Sequence, residues 1–179
     1  MNKFKISVIG LGYVGLPLAI EFGKLFDVIG YDKNSERINE LKNGKDSTLE
    51  ISKKQFKLSK KITFTDKLDD IKKTNIFIIT VPTPVDKTNR PDLSYLKIAS
   101  HDVGKFLKKN DVVIYESTVY PGATEEFCVP ILSKTSGLQF NRDFFCGYSP
   151  ERINPGDKIY SLTKVPKITC GSTEKIAKF

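Results

Sequence analysis

The segment Lys5–Gly15, with the sequence KISVIGLGYVG, decides the fold of this chain. Its first half is a short β-branched run that ends at a glycine, which is typical of a buried parallel strand. Its second half places Gly10, Gly12 and Gly15 in the spacing G-x-G-x-x-G. The apolar residues that follow, up to residue 26, recur at helical spacing. We therefore predict a strand, a tight turn and a helix, in that order.

This arrangement is the one that a dinucleotide-binding turn requires. Gly10 permits the tight turn, Gly12 leaves room for a pyrophosphate, and Gly15 lets the helix pack closely against the strand. The helix N-terminus offers free N–H groups and a partial positive charge to phosphates. A second apolar strand over residues 27–31 ends at Asp32, about 20 residues after the glycines, where a carboxylate binds ribose hydroxyls. The predicted cofactor-binding residues of this part are Gly10, Leu11, Gly12, Tyr13, Val14, Gly15 and Asp32.

The residues around Asp32 bear on the choice between NAD and NADP. The Asp32 carboxylate favours NAD because it would repel the additional phosphate of NADP. Lys33 and Arg37 lie close in sequence and are the alternative, since cations there would attract that phosphate. We favour NAD, with Lys33 expected to point away and Arg37 counted among the cofactor-binding residues. A glycine-rich turn with a capping aspartate and no ligand is the structural alternative.

Strand and helix patterns alternate through the rest of the chain. Further strands are predicted over residues 62–64, 75–81, 111–115, 144–148 and 165–170. Helices are predicted over residues 14–26, 35–42, 66–72, 93–107 and 123–132, with a short one within 47–61. This alternation predicts an α/β fold of the Rossmann type, a doubly wound parallel sheet covered on both faces. Residues 1–171 are assigned to an NAD-binding domain and residues 172–179 to the start of a following helix, in a chain that we expect to be part of a longer one.

Composition and charge exclude several classes of protein. The net charge is +8 over 179 residues, but the lysines are scattered rather than clustered with arginines and aromatic residues, which disfavours nucleic-acid binding. The same charge suits attraction of an anionic nucleotide. No apolar run approaches the roughly 20 residues of a membrane span, and the N-terminus lacks the pattern of a signal peptide. We therefore expect a cytoplasmic protein with neither a membrane nor a nucleic-acid partner.

The three cysteines, Cys128, Cys146 and Cys170, are an odd number without the spacing of metal ligands. This pattern favours reduced thiols over a disulfide framework or a zinc site. We therefore predict no metal site.

Three loops are predicted at the carboxyl ends of strands, where ligands bind in open α/β sheets. They are Val81–Pro84, Glu116–Gly122 and Ser149–Arg152. Together with residues 10–19 and 31–32, they resemble in order and spacing the nucleotide-sugar 6-dehydrogenases of the UDP-glucose/GDP-mannose dehydrogenase family. The resemblance runs from residue 4 to the end of the chain. It is nearest to the branch that acts on UDP-N-acetylhexosamines, in Vi-type surface polysaccharide biosynthesis.

The resemblance implies oxidation of a sugar C6 alcohol to a carboxylate with two NAD. It implies that Thr118 helps to hold a catalytic water and that Glu151 serves in acid–base work. Thr83 and Thr118 match positions that contact the cofactor. The substrate-contacting positions that it implies are Glu151, Arg152, Ile153 and Asn154. The family implies a homodimer for the full-length enzyme and leaves the oligomeric state of this chain open.

One departure from the family limits what we expect of the chain. The family's Gly-Phe-Gly-Gly-x-Cys-x-x-Lys-Asp segment, which holds the nucleophilic cysteine, is absent, as are the central helix and the C-terminal nucleotide-sugar domain. None of the three cysteines present has a local motif that would lower its pKa. We therefore expect NAD binding without turnover. A stand-alone NAD- or nucleotide-binding module is the alternative, and another NAD-dependent hydroxyacid or hydroxyacyl dehydrogenase is disfavoured by the Ser-Pro-Glu-Arg loop.

Overall fold

The structure is a computed structural model that describes residues 4–151, 162 and 165–179. Within these residues, seven strands form one sheet with helices on both faces. The strands are β1 (Lys5–Ile9), β2 (Asp27–Tyr31), β3 (Ile62–Thr65), β4 (Ile76–Ile79), β5 (Asp111–Tyr115), β6 (Phe144–Tyr148) and β7 (Cys170–Gly171). The α-helices are α1 (Gly15–Phe22), α2 (Ser35–Lys42), α3 (Lys53–Leu58), α4 (Ser94–Gly104), α5 (Val129–Ser136) and α6 (Glu174–Ala177). A 3₁₀ helix spans Leu68–Lys73 and a π-helical turn spans Thr124–Cys128.

The sheet has the order β3-β2-β1-β4-β5-β6-β7. The first six of these strands pair in parallel. The chain first moves outward from β1 to β3 and then crosses back to β4 on the other side of β1. This reversal opens a crevice at the carboxyl ends of β1 and β4, which is where such folds bind ligands. The predicted Rossmann-type α/β fold is confirmed.

The last strand differs from the prediction. A parallel strand was predicted over residues 165–170, whereas only Cys170–Gly171 pairs, and it pairs antiparallel to β6. Pro166 has no N–H to give to a ladder, so the start of the predicted run does not suit a strand. An antiparallel edge strand on an otherwise parallel sheet is common in doubly wound folds.

The core lies on both faces of the sheet because the central strands are buried on both sides. In β4, Ile76 and Ile78 face one apolar cluster together with α1 and α2, while Phe77 and Ile79 face a second cluster beneath α4 and α5. All four side chains are buried. This explains why the sequence of β4 is a continuous apolar run and does not alternate with polar residues.

Several helices differ from their predicted bounds, and for two of them the local reason is clear. α1 ends at Phe22 rather than at residue 26, because Gly23 forms its C-cap. The predicted helix over residues 123–132 is divided into a π-helical turn and α5. This division places Pro130 in the first turn of α5, where the missing N–H of proline is tolerated.

Among the described residues, no helix combines the length and the apolar character that crossing a bilayer requires.

Asp111, at the start of β5, makes stability depend on pH. It is buried, and its Oδ2 accepts a hydrogen bond from the backbone N–H of Lys108 at 2.8 Å. Burial raises its pKa to about 6, against the opposing effect of that bond. Because the folded pKa lies above the unfolded value, the folded state binds more protons between the two, and stability falls as pH rises through this window.

We therefore expect the free energy of unfolding to fall by about 1–3 kcal/mol between about pH 4 and pH 7 through Asp111 alone. Asp111→Asn should remove this contribution from the pH dependence, measured by urea unfolding across that range. Asp69→Asn, at an exposed position, is the control and should follow the parent protein. Equal slopes for Asp111→Asn and the parent would contradict the assignment.

Candidate functional site

The turn between β1 and α1 is held by contacts that only glycine permits. Gly10 has a φ of +96°, in the region that favours glycine. A Cβ on Gly15 would lie well inside contact distance of the Gly10 carbonyl oxygen and the Thr80 hydroxyl. Thr80, directly after β4, donates its hydroxyl hydrogen to the Gly10 carbonyl at 2.7 Å. The turn, α1 and the end of β4 are thereby packed together.

Unlike Gly10 and Gly15, Gly12 is not required by the packing of the turn. A Cβ added to Gly12 would meet no atom within 4 Å, and its φ does not lie in the left-handed region. The protein's own packing therefore does not require a glycine at this position. The open space lies at the turn into α1, where no backbone carbonyl of the described residues accepts from the N–H groups of residues 12–15. A pyrophosphate fits this space and these donors, so the residues present fit a dinucleotide.

Both backbone polar groups of Leu11 are hydrogen-bonded. Its N–H donates to Asp32 Oδ2 at 2.8 Å, and its carbonyl accepts from Arg37 Nε at 3.0 Å. The other oxygen of Asp32 accepts from the N–H of Asn34 at 2.9 Å. A carboxylate oxygen can accept more than one hydrogen bond, so both oxygens of Asp32 retain capacity for the hydroxyls of a ribose.

Arg37 is buried, and protein acceptors occupy its guanidinium. Its five N–H donors face five acceptors. These are the Leu11 carbonyl, Glu40, Asp46, Ser47 and Thr48. A direct hydrogen bond from Arg37 to a nucleotide would have to replace one of these. The predicted contact of Arg37 with the cofactor stays a prediction, and the geometry gives it an indirect route through Leu11.

Asp46 is the charge that anchors Arg37, at 2.8 Å, with 1% of its side chain exposed. Burial acts to raise the pKa of Asp46, but hydrogen bonds from Thr48, the Ile51 N–H and Arg37 together lower it below the ordinary value. The loop after α2 thus carries an ionised carboxylate that holds Arg37 against the glycine turn.

A cavity of about 200 Å³ lies beside Asp32, at the crevice between β1 and β4. Its walls include Gly10, Pro82 and Tyr95. Lys33, which was expected to point away, also lines this cavity, with its Nζ 5.3 Å from the centre of the Tyr95 ring. The attraction of an ammonium to an aromatic face accounts for this position. A preference for NAD over NADP therefore follows from Asp32 and from the engagement of Arg37, and not from the direction of Lys33.

The loops after β4 and β5 are joined by two hydrogen bonds. The Thr83 hydroxyl donates to the Thr118 carbonyl at 2.6 Å, and the Ser117 hydroxyl donates to the Val81 carbonyl at 2.7 Å. The structure thus brings the predicted positions Thr83 and Thr118 together. Sequence reasoning did not single out Ser117, although it lies within the motif that contains Thr118.

The predicted catalytic residues follow neighbouring strands at the same edge of the sheet. Tyr115 and Tyr148 are register partners at the ends of β5 and β6, and Thr118 and Glu151 each lie three residues further on. Thr118 is exposed, whereas only 10% of the Glu151 side chain is exposed. The remaining predicted substrate positions, Arg152, Ile153 and Asn154, lie outside the described residues.

Two residues beside Glu151 were not predicted. Lys167 binds the buried Glu116 carboxylate, and its Nζ lies 3.9 Å from Glu151 Oε2. Burial raises the pKa of Glu116, Lys167 opposes this, and Glu151 reinforces it. Glu116 belongs to a quoted motif, but no sequence pattern signals that a lysine 51 residues away would contact it.

The two buried cysteines are not activated thiols. Cys128 and Cys146 are buried, and burial raises the pKa of both thiols, so neither is poised as a thiolate. Cys170 lies in a strand, β7, but it is exposed, and its Sγ lies 3.4 Å from the Tyr148 carbonyl. Within the described ranges, no three side chains of metal-ligating type come together.

Comparison with known proteins agrees with this geometry. Residues 4–178 match the family described as "UDP-glucose/GDP-mannose dehydrogenase family, NAD binding domain". The chain belongs to this family. It corresponds to the family's NAD-binding domain, so the cofactor of the fold is NAD.

Individual relatives agree with the family. The chain is 58% identical over 178 residues to UDP-N-acetyl-D-glucosamine 6-dehydrogenase of Pseudomonas aeruginosa, covering 99% of this chain and 42% of that protein. It is 52% identical to Protein CapL of Staphylococcus aureus, covering 98% and 41%. The solved structure of UDP-D-ManNAc dehydrogenase from Pyrococcus horikoshii superposes with a TM-score of 0.87 at 36% identity, covering 97% and 42%. The chain thus spans less than half the length of these relatives.

The glycine turn permits a test that separates folding from binding. We expect Gly12→Ala to leave the melting temperature unchanged, because its Cβ enters open space, yet to weaken NAD binding at least tenfold by filling the pyrophosphate position. We expect Gly15→Ala to lower both stability and binding, because its Cβ collides with backbone. Calorimetric titration and thermal unfolding of both variants measure this contrast. A Gly12→Ala protein that binds NAD like the parent would contradict the assignment of that space.

Because Asp46 anchors Arg37 and Arg37 binds the Leu11 carbonyl, a change at Asp46 should affect the glycine turn. Asp46→Asn removes the buried charge, and we expect about 3 kcal/mol lower stability. We also expect about tenfold weaker NAD binding, because the Leu11 peptide loses its restraint. Lys73→Met is the control, since it breaks an exposed pair with Asp70 worth less than about 1 kcal/mol. Lower stability with unchanged NAD affinity would confine Arg37 to a structural role.

Proposed function

We propose that this chain forms the cofactor side of a UDP-sugar 6-dehydrogenase, which oxidises the C6 alcohol of a UDP-N-acetylhexosamine to a carboxylate with two NAD. The product would serve surface polysaccharide synthesis. The observation that carries the proposal is that the glycine turn, the joined Thr83 and Thr118 loops, and Glu151 share the carboxyl edge of one sheet. The printed functions of the relatives support the substrate class.

The parts of the site divide the work. When bound, NAD supplies the hydride acceptor for each oxidation. The N-terminus of α1 and the space at Gly12 receive the pyrophosphate. Asp32 accepts hydrogen bonds from the hydroxyls of the adenine ribose. Gly10, Leu11, Tyr13, Val14 and Gly15 form the turn, with Arg37 holding it through Leu11.

The second half of the site handles protons. Thr118 is exposed, and its hydroxyl can both donate to and accept from a water. Glu151 accepts or donates the proton that moves when the sugar carbon is oxidised and when water attacks. Arg152, Ile153 and Asn154 continue from Glu151 in the sequence and are proposed to contact the substrate. We further propose a cytoplasmic enzyme that acts as a homodimer.

A second candidate function is a stand-alone NAD- or nucleotide-binding module. The buried state of Cys128 and Cys146 favours it, because neither of these two thiols is activated for capture of an aldehyde.

Cofactor choice is tested by titrating the 179-residue chain with NAD and with NADP. We expect NAD to bind at least tenfold more tightly, because Asp32 repels the additional phosphate of NADP. Tighter binding of NADP would overturn this part of the proposal.

We also expect no NADH from a UDP-sugar with these residues alone, and measurable turnover would contradict that expectation.

The reaction is tested by assaying a panel of UDP-sugars with the longest gene product that contains this chain. We expect two NADH per UDP-N-acetylhexosamine, and a loss of about 10²–10⁴ in kcat for Glu151→Gln. Glu125→Gln, at an exposed position, is the matched control and should keep the parent rate. NAD binding without turnover on any sugar would favour the binding-module alternative.

A further inference from the structure

Two charged side chains, Glu116 and Lys167, line a cavity of about 370 Å³ on the α1 side of the sheet, and a third, Glu151, lies next to Lys167. Glu116 follows β5 directly, Glu151 follows β6, and Lys167 precedes β7. Lys167 Nζ donates to Glu116 Oε2 and lies 3.9 Å from Glu151 Oε2. The exposed side-chain fractions are 20% for Lys167, 8% for Glu116 and 10% for Glu151. We call these three side chains the charge cluster.

The charge cluster contains two carboxylates and one ammonium, so its members depend on one another. In a partly buried site each charge is screened weakly, and removing one partner leaves the others uncompensated. The other titratable groups that line the same cavity are Tyr148 and Cys170, on β6 and β7. The helix α1 contributes Leu18 and Phe22 to the cavity, and neither is charged. Among the described residues that line this cavity, Lys167 is therefore the cation that lies close to both carboxylates.

We propose that Lys167 is a positioning residue for Glu151: its ammonium binds the Glu116 carboxylate and attracts that of Glu151, and so fixes where the Glu151 carboxylate lies. This inference rests on the proposed function, in which Glu151 moves protons. Glu116 acts as the anchor, since its bond to Lys167 is the direct one.

The chemistry explains why such a residue is useful. When an alcohol is oxidised to an aldehyde, the carbon loses a hydride to NAD and the oxygen loses a proton to a base. The base must be ionised before it can take that proton. An ammonium close by favours the ionised form of a carboxylate, whereas a second carboxylate opposes it. With Lys167 present, the cluster changes from one net negative charge to neutrality on accepting the proton.

The first test follows the Glu116 carboxyl by NMR titration in the 179-residue chain, which needs no turnover. Glu151→Gln removes a like charge and should lower the pKa of Glu116, while Lys167→Met removes its cation and should raise it, each by about one unit. Lys175→Met, exposed on α6, is the matched control and should leave the pKa unmoved. A Glu116 pKa that is the same in the parent, Glu151→Gln and Lys167→Met proteins would show that the three charges are not coupled, and would overturn the proposal.

The second test is the pH dependence of kcat in the longest gene product that contains the chain. Lys167→Met should move the acid limb of the profile to higher pH by about one unit, with KM for NAD unchanged. Lys167→Arg should restore the limb because it keeps the charge. A uniform drop at every pH, with the limb in place, would reduce Lys167 to a structural role.

The two tests separate the inference from the proposed function. If the parent protein shows no turnover on any sugar, the proposed function fails while the NMR titration still decides whether the three charges are coupled. If Lys167→Met does not fold, the Glu151→Gln titration and the Lys167→Arg profile remain decisive. Coupling by NMR together with an unmoved acid limb would show that the cluster exists but does not position Glu151.

Discussion

The packing of Gly15 against the Gly10 carbonyl and the Thr80 hydroxyl is the constraint on which the rest of the site depends. Because no side chain fits between them, α1 must begin directly beside the end of β1. Thr80 makes the end of β4 part of the same contact, so two neighbouring strands and one helix meet at one point. The reversal of strand order falls at this point, and the space at Gly12 opens beside it. The cofactor crevice is therefore a consequence of backbone packing.

The electrostatics of the site reinforce this packing and add selectivity. The Leu11 peptide lies between Asp32, which accepts from its N–H, and Arg37, which donates to its carbonyl. A buried guanidinium is unfavourable unless its donors are satisfied, and Asp46 with the hydroxyls of its loop provides that satisfaction. Arg37, which lies close to Asp32 in the sequence, is thus engaged in shaping the turn. The Asp32 carboxylate is left to decide which ribose is accepted.

The features that could be predicted from the sequence are those set by local geometry. The spacing of Gly10, Gly12 and Gly15 requires a particular turn, and the apolar run of β4 requires burial on both faces, so turn, sheet and crevice followed. The position of Lys33 over Tyr95 and the contact of Lys167 with Glu116 depend instead on side chains far apart in the sequence. The antiparallel pairing of β7 likewise depends on a partner strand, which no pattern within residues 165–170 encodes.

The two halves of the site are positioned by different forces, and this difference has a consequence for their response to pH. Thr83 and Ser117 join the β4 and β5 loops by hydrogen bonds from hydroxyls to backbone carbonyls, none of which titrates. Glu151 lies 3.9 Å from the Lys167 ammonium, and Glu116 within that cluster has a pKa raised by burial. Acidification that protonates a carboxyl of the cluster weakens its attraction to Lys167 while leaving the joined loops intact. Within the site, sensitivity to acid is therefore expected at the charge cluster, where the proton chemistry is proposed, and not at the hydrogen bonds that join the two loops.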